Sequence, residues 1–446
     1  MKGDALARTN TISPINALQG KVAGLNVGVS GSSGLTSTPM VTLRGAKSLD
    51  KNNSPIYVID GIVMENEYGT SATSNEGNMY GNQLKNLNSA DFESVTVLKG
   101  AAATSLYGSR GANGAIVITT KGGKARKGIG VEVNYTHEFN QLYAAPIALQ
   151  NLYGMGSAFN DYEGQINPDL QSSASEYIGT SFGPRMDGQL MRQNYKLWQG
   201  REGYEYNPNE PLVAHKNNWK SFFQTGKQDN VSVALTGGSE KATYRLSYGY
   251  TSMKGALPNN DFDRHSINFR TNGKINDIFS VDFSMQYSNT QTLNATSINA
   301  FGSNILQQVA GNLARNTDLK WFRDNYIDYS TWERMVPGDG PQPLRSLQSA
   351  LNTFVDQHVN HTEQTIISRL ALNAQLTDWL DASASLSYNY FQENDETKNW
   401  GSEKYRMGSG NKYAISGTNW GKYNSLITLH SNNRFLDDNL ELDVRL

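Results

Sequence analysis

LNSADFESVTVLKGAAATSLYGSRGANGAIVITTKGG, running from Leu87 to Gly123, decides how the rest of the chain is read. Val95, Val97 and Leu98 form a short apolar run, which predicts a strand ending at Lys99-Gly100. Ala101 to Tyr107 is made of good helix formers, enough for about two turns. Gly108, Gly111 and Gly114 end that helix, and Ala115 to Thr120 follows as AIVITT, apolar with no polar alternation. A strand of that kind is normally buried on both faces. The stretch therefore predicts a compact α+β core. Its GSRGANG turn at 108–114 could aim backbone N–H groups at an anion. It lacks the GK[ST] and the βαβ setting of a phosphate loop, so it reads as a structural turn.

Upstream lie smaller pieces of the same unit. Ile15-Asn-Ala-Leu18 predicts a helical turn, Gly20 to Val27 a strand entered through a bend, and Gly31 to Pro39 a loop. Val41 to Gly45 and Pro55 to Gly61 read as short strands, and Glu65 to Asn82 as a loose polar segment. Gly122 to Gly130, rich in Lys and Gly, is the expected boundary, with one domain over 1–125 and another region over 129–446.

From Val131 the apolar period becomes two. Val131, Val133 and Tyr135 alternate with Glu132 and Asn134, and Tyr244, Leu246, Tyr248 and Tyr250 with Arg245, Ser247 and Gly249. Similar runs begin at Val231, Ile267, Val281, Ile366, Leu380 and Leu440, with a weaker one near Leu426–Leu429. That makes nine candidate strands. Most have about the 9–11 residues that cross a bilayer as a tilted strand. Short connections are expected at Gly237–Lys241, Lys274–Ile278, Thr377–Trp379 and Arg434–Asn439, and longer ones near 140–228, 252–264, 292–363 and 392–424. Alternating short and long connections suit an outer-membrane barrel, with Trp379 in its aromatic girdle. A soluble β-sandwich is the rival, since alternation alone occurs in any half-buried sheet.

Composition narrows the classes. With 446 residues and a net charge of −2, no basic face calls for nucleic acid. Zero cysteines exclude disulfides, thiolate metal sites and cysteine nucleophiles. The low apolar content of 37% beside 42 glycines and 23 tyrosines suits two-faced strands and polar loops. Nine strands are too few to enclose a domain, because a barrel holding a plug has about 22. The sequence is therefore expected to be a portion of a longer barrel protein, cut at both ends.

Long segments resemble the SusC/RagA type of TonB-linked outer-membrane proteins. They are ALQGKVAGLNV (Ala17–Val27), VTLRG (Val41–Gly45), PIYVIDGI (Pro55–Ile62) and Asp91–Lys121, then SFGPRMDG (Ser181–Gly188) and Trp219–Thr271. The resemblance implies an α+β plug domain followed by the N-terminal part of a transmembrane antiparallel β-barrel. It implies import of an oligosaccharide or oligopeptide under a SusD-like surface lipoprotein, driven by TonB, without covalent chemistry, cofactor or metal. A signal peptide, a small β-domain and a TonB box are expected ahead of the plug. A siderophore-type receptor and a surface glycan-binding adhesin are the alternatives.

The resemblance also implies plug arginines that pair with wall carboxylates and lock the plug. Arg44 and Arg110 are the candidates, with Glu132 and Glu138 as partners. In the longest connection, Trp321, Tyr326, Tyr329 and Trp332 stand among carboxylates and an arginine, a set able to stack on sugar rings, clasp a peptide or meet a lid. Helical patches are expected at Asn304–Arg315 and Leu344–Val359. His358 and His361 form an HxxH pair without a third ligand and read as loop histidines.

Overall fold

The structure is a computed structural model that describes residues 3, 14–28, 40–45, 53–64, 83–143, 149–154, 183–191, 210–295, 314–320, 357–399, 412–435 and 440–445. The opening stretch folds as its sequence predicts. Strands β1 (Leu25–Gly28) and β2 (Met40–Leu43) pair antiparallel. Strands β3 (Ile56–Ile59), β4 (Ile62–Met64), β5 (Phe92–Leu98) and β6 (Ala115–Thr120) form a four-stranded sheet in the order β4-β3-β6-β5. Helix α1 (Ala101–Tyr107) and a 3-10 turn over Gly108–Asn113 join β5 to β6. Because β5 and β6 are antiparallel, this connection is not a βαβ crossover, and the glycine turn has no phosphate-loop setting.

The glycines there are spent on close packing. A Cβ on Gly111 would lie 2.4 Å from the Ala103 carbonyl oxygen, and one on Gly114, at φ +97°, 2.4 Å from the Leu43 side chain. Between β3 and β4 the pair Asp60-Gly61 has both φ values positive, at +46° and +87°, as a two-residue hairpin turn demands. Ile116 and Ile118 of the central β6 pack with Tyr57, Ile59, Leu84 and Phe92 into one apolar core.

The second region is a nine-stranded antiparallel sheet. It comprises β7 (Arg126–Asn140), then, past the two-residue β8 (Leu190–Met191) and β9 (Glu210–Pro211), strands β10 (Gly226–Gly238), β11 (Ala242–Lys254), β12 (Asp261–Lys274), β13 (Phe279–Leu293), β14 (Gln357–Gln375), β15 (Leu380–Asn399), β16 (Lys412–Phe435) and β17 (Leu440–Arg445). Apart from β7 and β10, which are neighbours across the β8–β9 hairpin, every strand pairs with the next in sequence.

The strands run further than the sequence suggests. The connection expected over 252–264 shrinks to 255–260, and that over 392–424 to 400–411. Strands of 19, 20 and 24 residues at β14, β15 and β16 are longer than the roughly 9–11 residues that a bilayer crossing needs. Residues 357–359, expected to end a helical patch, begin β14 instead.

The two faces of the large sheet settle its class. On the outer face, register aligns Val133, Val233, Tyr248, Ile267, Tyr287, Ile366 and Tyr390 in one continuous apolar row. Val133 is 64% exposed and Leu386, in a neighbouring row, 52%. The inner face is polar and buried against the small domain: Arg245 is 2% exposed, Ser247 0% and Glu363 2%. A sandwich buries its apolar face, so the soluble rival fails on this arrangement. An exposed apolar band over a polar inner face is the arrangement of a barrel wall in lipid.

Candidate functional site

The seam between the small domain and the inner face is where polar side chains converge. Gln83–Asn86 forms a fully buried 3-10 turn, and Ser89–Asp91 a second turn capped by Asn88, whose side-chain oxygen accepts from the Ala90 N–H at 3.1 Å. These two turns lay the segment along strands β11 to β14.

Five wall residues grip the small domain. Arg245 donates to Asp91 at 2.7 Å, and the neighbouring Ser247 hydroxyl donates to the same carboxylate oxygen at 2.6 Å. Arg264 donates to the carbonyls of Lys85 and Leu87, both at 2.7 Å. Arg270 reaches the Thr120 carbonyl at 2.8 Å and Asp60 at 3.3 Å. Glu363 accepts from Lys85 at 2.7 Å on one oxygen and from Asn86 at 2.8 Å on the other. His361 bridges Glu363, at 2.8 Å, to Asp395, at 2.7 Å.

Most of these groups are buried, and charge-assisted bonds out of water are the strong class. Removing one partner of such a pair costs far more than forming the pair yields, because the other charge is left stranded. The domain is thus keyed to the wall by charge, while among the described residues a single wall residue, Ile367, joins its apolar core. The arrangement holds one body against another through reversible contacts.

Arg44 and Arg110 lie elsewhere. Both are exposed, and Arg44 sits at φ +63° with its backbone N–H bonded to the Gly24 carbonyl at 2.8 Å. Glu132 is held by Lys121 at 3.5 Å and Asn134 at 3.1 Å, and Glu138 is half-buried on β7. The described contacts are of mixed polarity: Asp91 and Asp60 of the small domain meet the wall arginines Arg245 and Arg270, whereas Lys85 and Lys121 of the small domain meet the wall carboxylates Glu363 and Glu132. Strand parity held the signal, since Arg245 stands between the outward Tyr244 and Leu246. His358 and His361 are not loop residues but lie in β14, three apart and so on opposite faces; His358 is exposed and His361 buried.

A second polar cluster ties the long connections together on the loop side. Asn218 donates to the Ala314 carbonyl at 2.9 Å and accepts from Arg315, which also donates to Asn151 at 3.0 Å. Three segments from two connections therefore meet at one guanidinium. Trp321 follows directly on this pinned stretch. Trp321, Tyr326, Tyr329 and Trp332 themselves lie outside the described residues.

Comparison with known proteins places this geometry. Residues 1–115 match the TonB-dependent receptor plug domain family. The TonB-dependent receptor SusC of Bacteroides thetaiotaomicron is 29% identical over 264 residues, 59% of this chain and 21% of SusC. TonB-dependent receptor P26 of Formosa agariphila is 27% identical over 358 residues, covering 73% of this chain and 31% of P26. The chain therefore spans about a fifth to a third of the length of these curated relatives. Among solved structures, the RagAB peptide importer in its open-open state superposes with a TM-score of 0.70 at 19% identity, covering 98% of this chain and 45% of that one. Its closed-closed state gives 0.68 at 20% identity, with 97% and 45% covered. Plug match, curated relatives and a shared fold agree in their direction: residues 1–115 match the TonB-dependent receptor plug family, and the chain as a whole is similar to TonB-dependent receptors of the SusC/RagA type, with a plug-like domain followed by a nine-stranded antiparallel sheet among the described residues.

Proposed function

We propose that this chain is the plug and part of the wall of an outer-membrane importer, in which TonB draws on the plug to open a path along the inner face of the sheet. Residues 1–125 act as the plug and 129–446 as barrel wall. The observation that carries this reading is the inverted sheet, apolar outward and polar inward, with a small domain keyed by charge to its polar face. Charge-assisted contacts suit a body that must be seated firmly yet pulled free, because water can replace them one by one.

The cargo is an oligosaccharide or oligopeptide, and a SusD-like surface lipoprotein forms the outer lid. Support for this comes from the likeness to SusC and from the fold shared with a peptide importer. Trp321, Tyr326, Tyr329 and Trp332 are the proposed cargo or lid contacts; they follow in sequence the stretch tied at Arg315. Arg44 and Arg110 are proposed as additional plug locks, both standing exposed on the small domain.

The test is to fractionate cells expressing the full-length receptor and to purify it in mild detergent. Recovery from the outer membrane, with migration that changes on heating and a lipoprotein that co-purifies, supports the reading. Recovery as a soluble monomer contradicts it.

A further inference from the structure

One turn of the plug stands between two opposite charges of the wall. Register places Arg264 of β12, Thr290 of β13 and Glu363 of β14 in one row on the inner face, all three buried. Arg264 and Glu363 are therefore two strand spacings apart, about 10 Å at Cα. An extended arginine and glutamate cover that span, yet with the plug seated both are engaged by the same three plug residues. Arg264 donates to the Lys85 and Leu87 carbonyls, and Glu363 accepts from the Lys85 ammonium and the Asn86 amide. Asn86 lies over the gap itself, since the Thr290 hydroxyl donates to its side-chain oxygen at 3.4 Å. The buried Nε of Arg264 has no partner among the described residues. A carboxylate would take that Nε together with a neighbouring Nη, the fork geometry that arginine favours.

The plug brings charges of both signs to this seam. Asp60 and Asp91 meet Arg270 and Arg245, while Lys85 and Lys121 meet Glu363 and Glu132. In these pairs two carboxylates and two ammonium groups leave together, so the wall loses partners but no net charge. It also holds replacements. Asp282 is already 3.7 Å from Arg270, and Glu132 shares the inner face with Arg245, with β10 between their strands. For Arg264 the replacement is Glu363. On that basis, which rests on the movable-plug reading above, we infer that Lys85–Leu87 is a wedge in a wall ion pair. Drawing the turn out lets Arg264 and Glu363 close on each other across Thr290, and reseating parts them again. Glu393, in register beside Glu363 on β15, adds a second negative charge that draws the arginine the same way. A buried charge left without its partner is costly. A wall that supplies the new partner removes that cost, so the plug is released by exchanging pairs rather than by breaking them.

The test uses the full-length receptor carrying Arg264→Lys, with the plug displaced reversibly by urea and its displacement followed as channel opening in planar bilayers. A carbodiimide joins an amine to a carboxylate only where the two are in contact, and mass spectrometry identifies the joined peptides. A link between positions 264 and 363 should be at least tenfold more abundant with the plug displaced than seated, and should fall again when urea is washed out. Glu363→Gln on the same background should abolish it. The exchanged pair Arg264→Glu with Glu363→Lys presents the same contact in reverse and serves if the single variant does not assemble. An opened channel without a gain in the 264–363 link, or an equal link in both states, would overturn the exchange while leaving the movable plug intact. If urea opens no channel at all, the movable-plug reading fails and the exchange fails with it.

Discussion

In strand Phe92–Leu98 of the plug, Phe92 and Val95 turn inward to an apolar core and Glu93 turns out to water. In strand Ala242–Lys254 of the wall, Arg245, Ser247 and Thr251 turn inward and are buried, while Leu246 and Tyr248 turn out. The wall strand alternates with a period of two throughout, and the plug strand does so from Val95 onward, after a bulge between Phe92 and Ser94. What differs is the solvent each outer face meets, and so which half of the pattern is buried. The lesson is that alternation fixes which residues share a face but not which face is wet. That second question is answered by register and burial across neighbouring strands.

The comparison can be broken at its joint first. Lys85→Met strands Glu363 in the buried seam and should weaken plug seating by about 3–5 kcal/mol. In bilayers the full-length variant should leak ions without TonB; an intact seal would mean that the charge pairs do not hold the plug. Next, Ile116→Ala opens a cavity in the plug core and should cost about 2–5 kcal/mol of plug stability. Proteolysis of the plug should quicken while the barrel's heat-modifiable migration is unchanged, and a barrel that fails with it would show that the two regions do not fold on separate principles.

On the wall, Leu246→Arg places a charge on the apolar band. It should cost about 2–4 kcal/mol if that face meets lipid near the midplane. Assembly in the outer membrane should fall accordingly, and normal assembly would count against the outward assignment. The smallest effect is expected at Arg44, whose left-handed backbone, at φ +63°, crowds its Cβ against the following carbonyl. Arg44→Gly should gain about 1 kcal/mol of plug stability by relieving it. Bilayer leak measured on the same variant separates the roles: a raised leak supports the proposed lock, and an unchanged leak leaves only the backbone effect.

Much of the plug was legible because its signals are local. The run AIVITT, the helix formers at 101–107 and the spaced glycines each act within a few residues, and the strand, helix and turns form where they predict. The wall was legible as alternation but not in extent. β16, its longest strand, was the faintest, because Gly417, Asn419, Gly421 and Ser425 dilute its outer face. Its limits are set by the hydrogen-bond ladder to β15, which no local pattern contains. The seam was hidden for a related reason. Lys85 and Glu363 are 278 residues apart, and only the meeting of two domains shows that each needs the other. Polarity hid it further: a locking arginine was sought on the plug, whereas the described lock puts Arg245, Arg264 and Arg270 on the wall.

This chain has no cysteine, so once any cysteine elsewhere in the full-length receptor is replaced by serine, each introduced thiol can be read alone. Single cysteines placed in turn at positions 244 to 251 of β11, in the membrane-embedded full-length receptor, can be probed with a lipid-soluble and a water-soluble thiol reagent. Cysteines at 244, 246, 248 and 250 should react with the lipid-soluble reagent, while those at 245, 247, 249 and 251 should resist both until urea displaces the plug and then react with the water-soluble one. Uniform reactivity along the strand, or the reverse alternation, would contradict an inside-out wall covered by a removable plug.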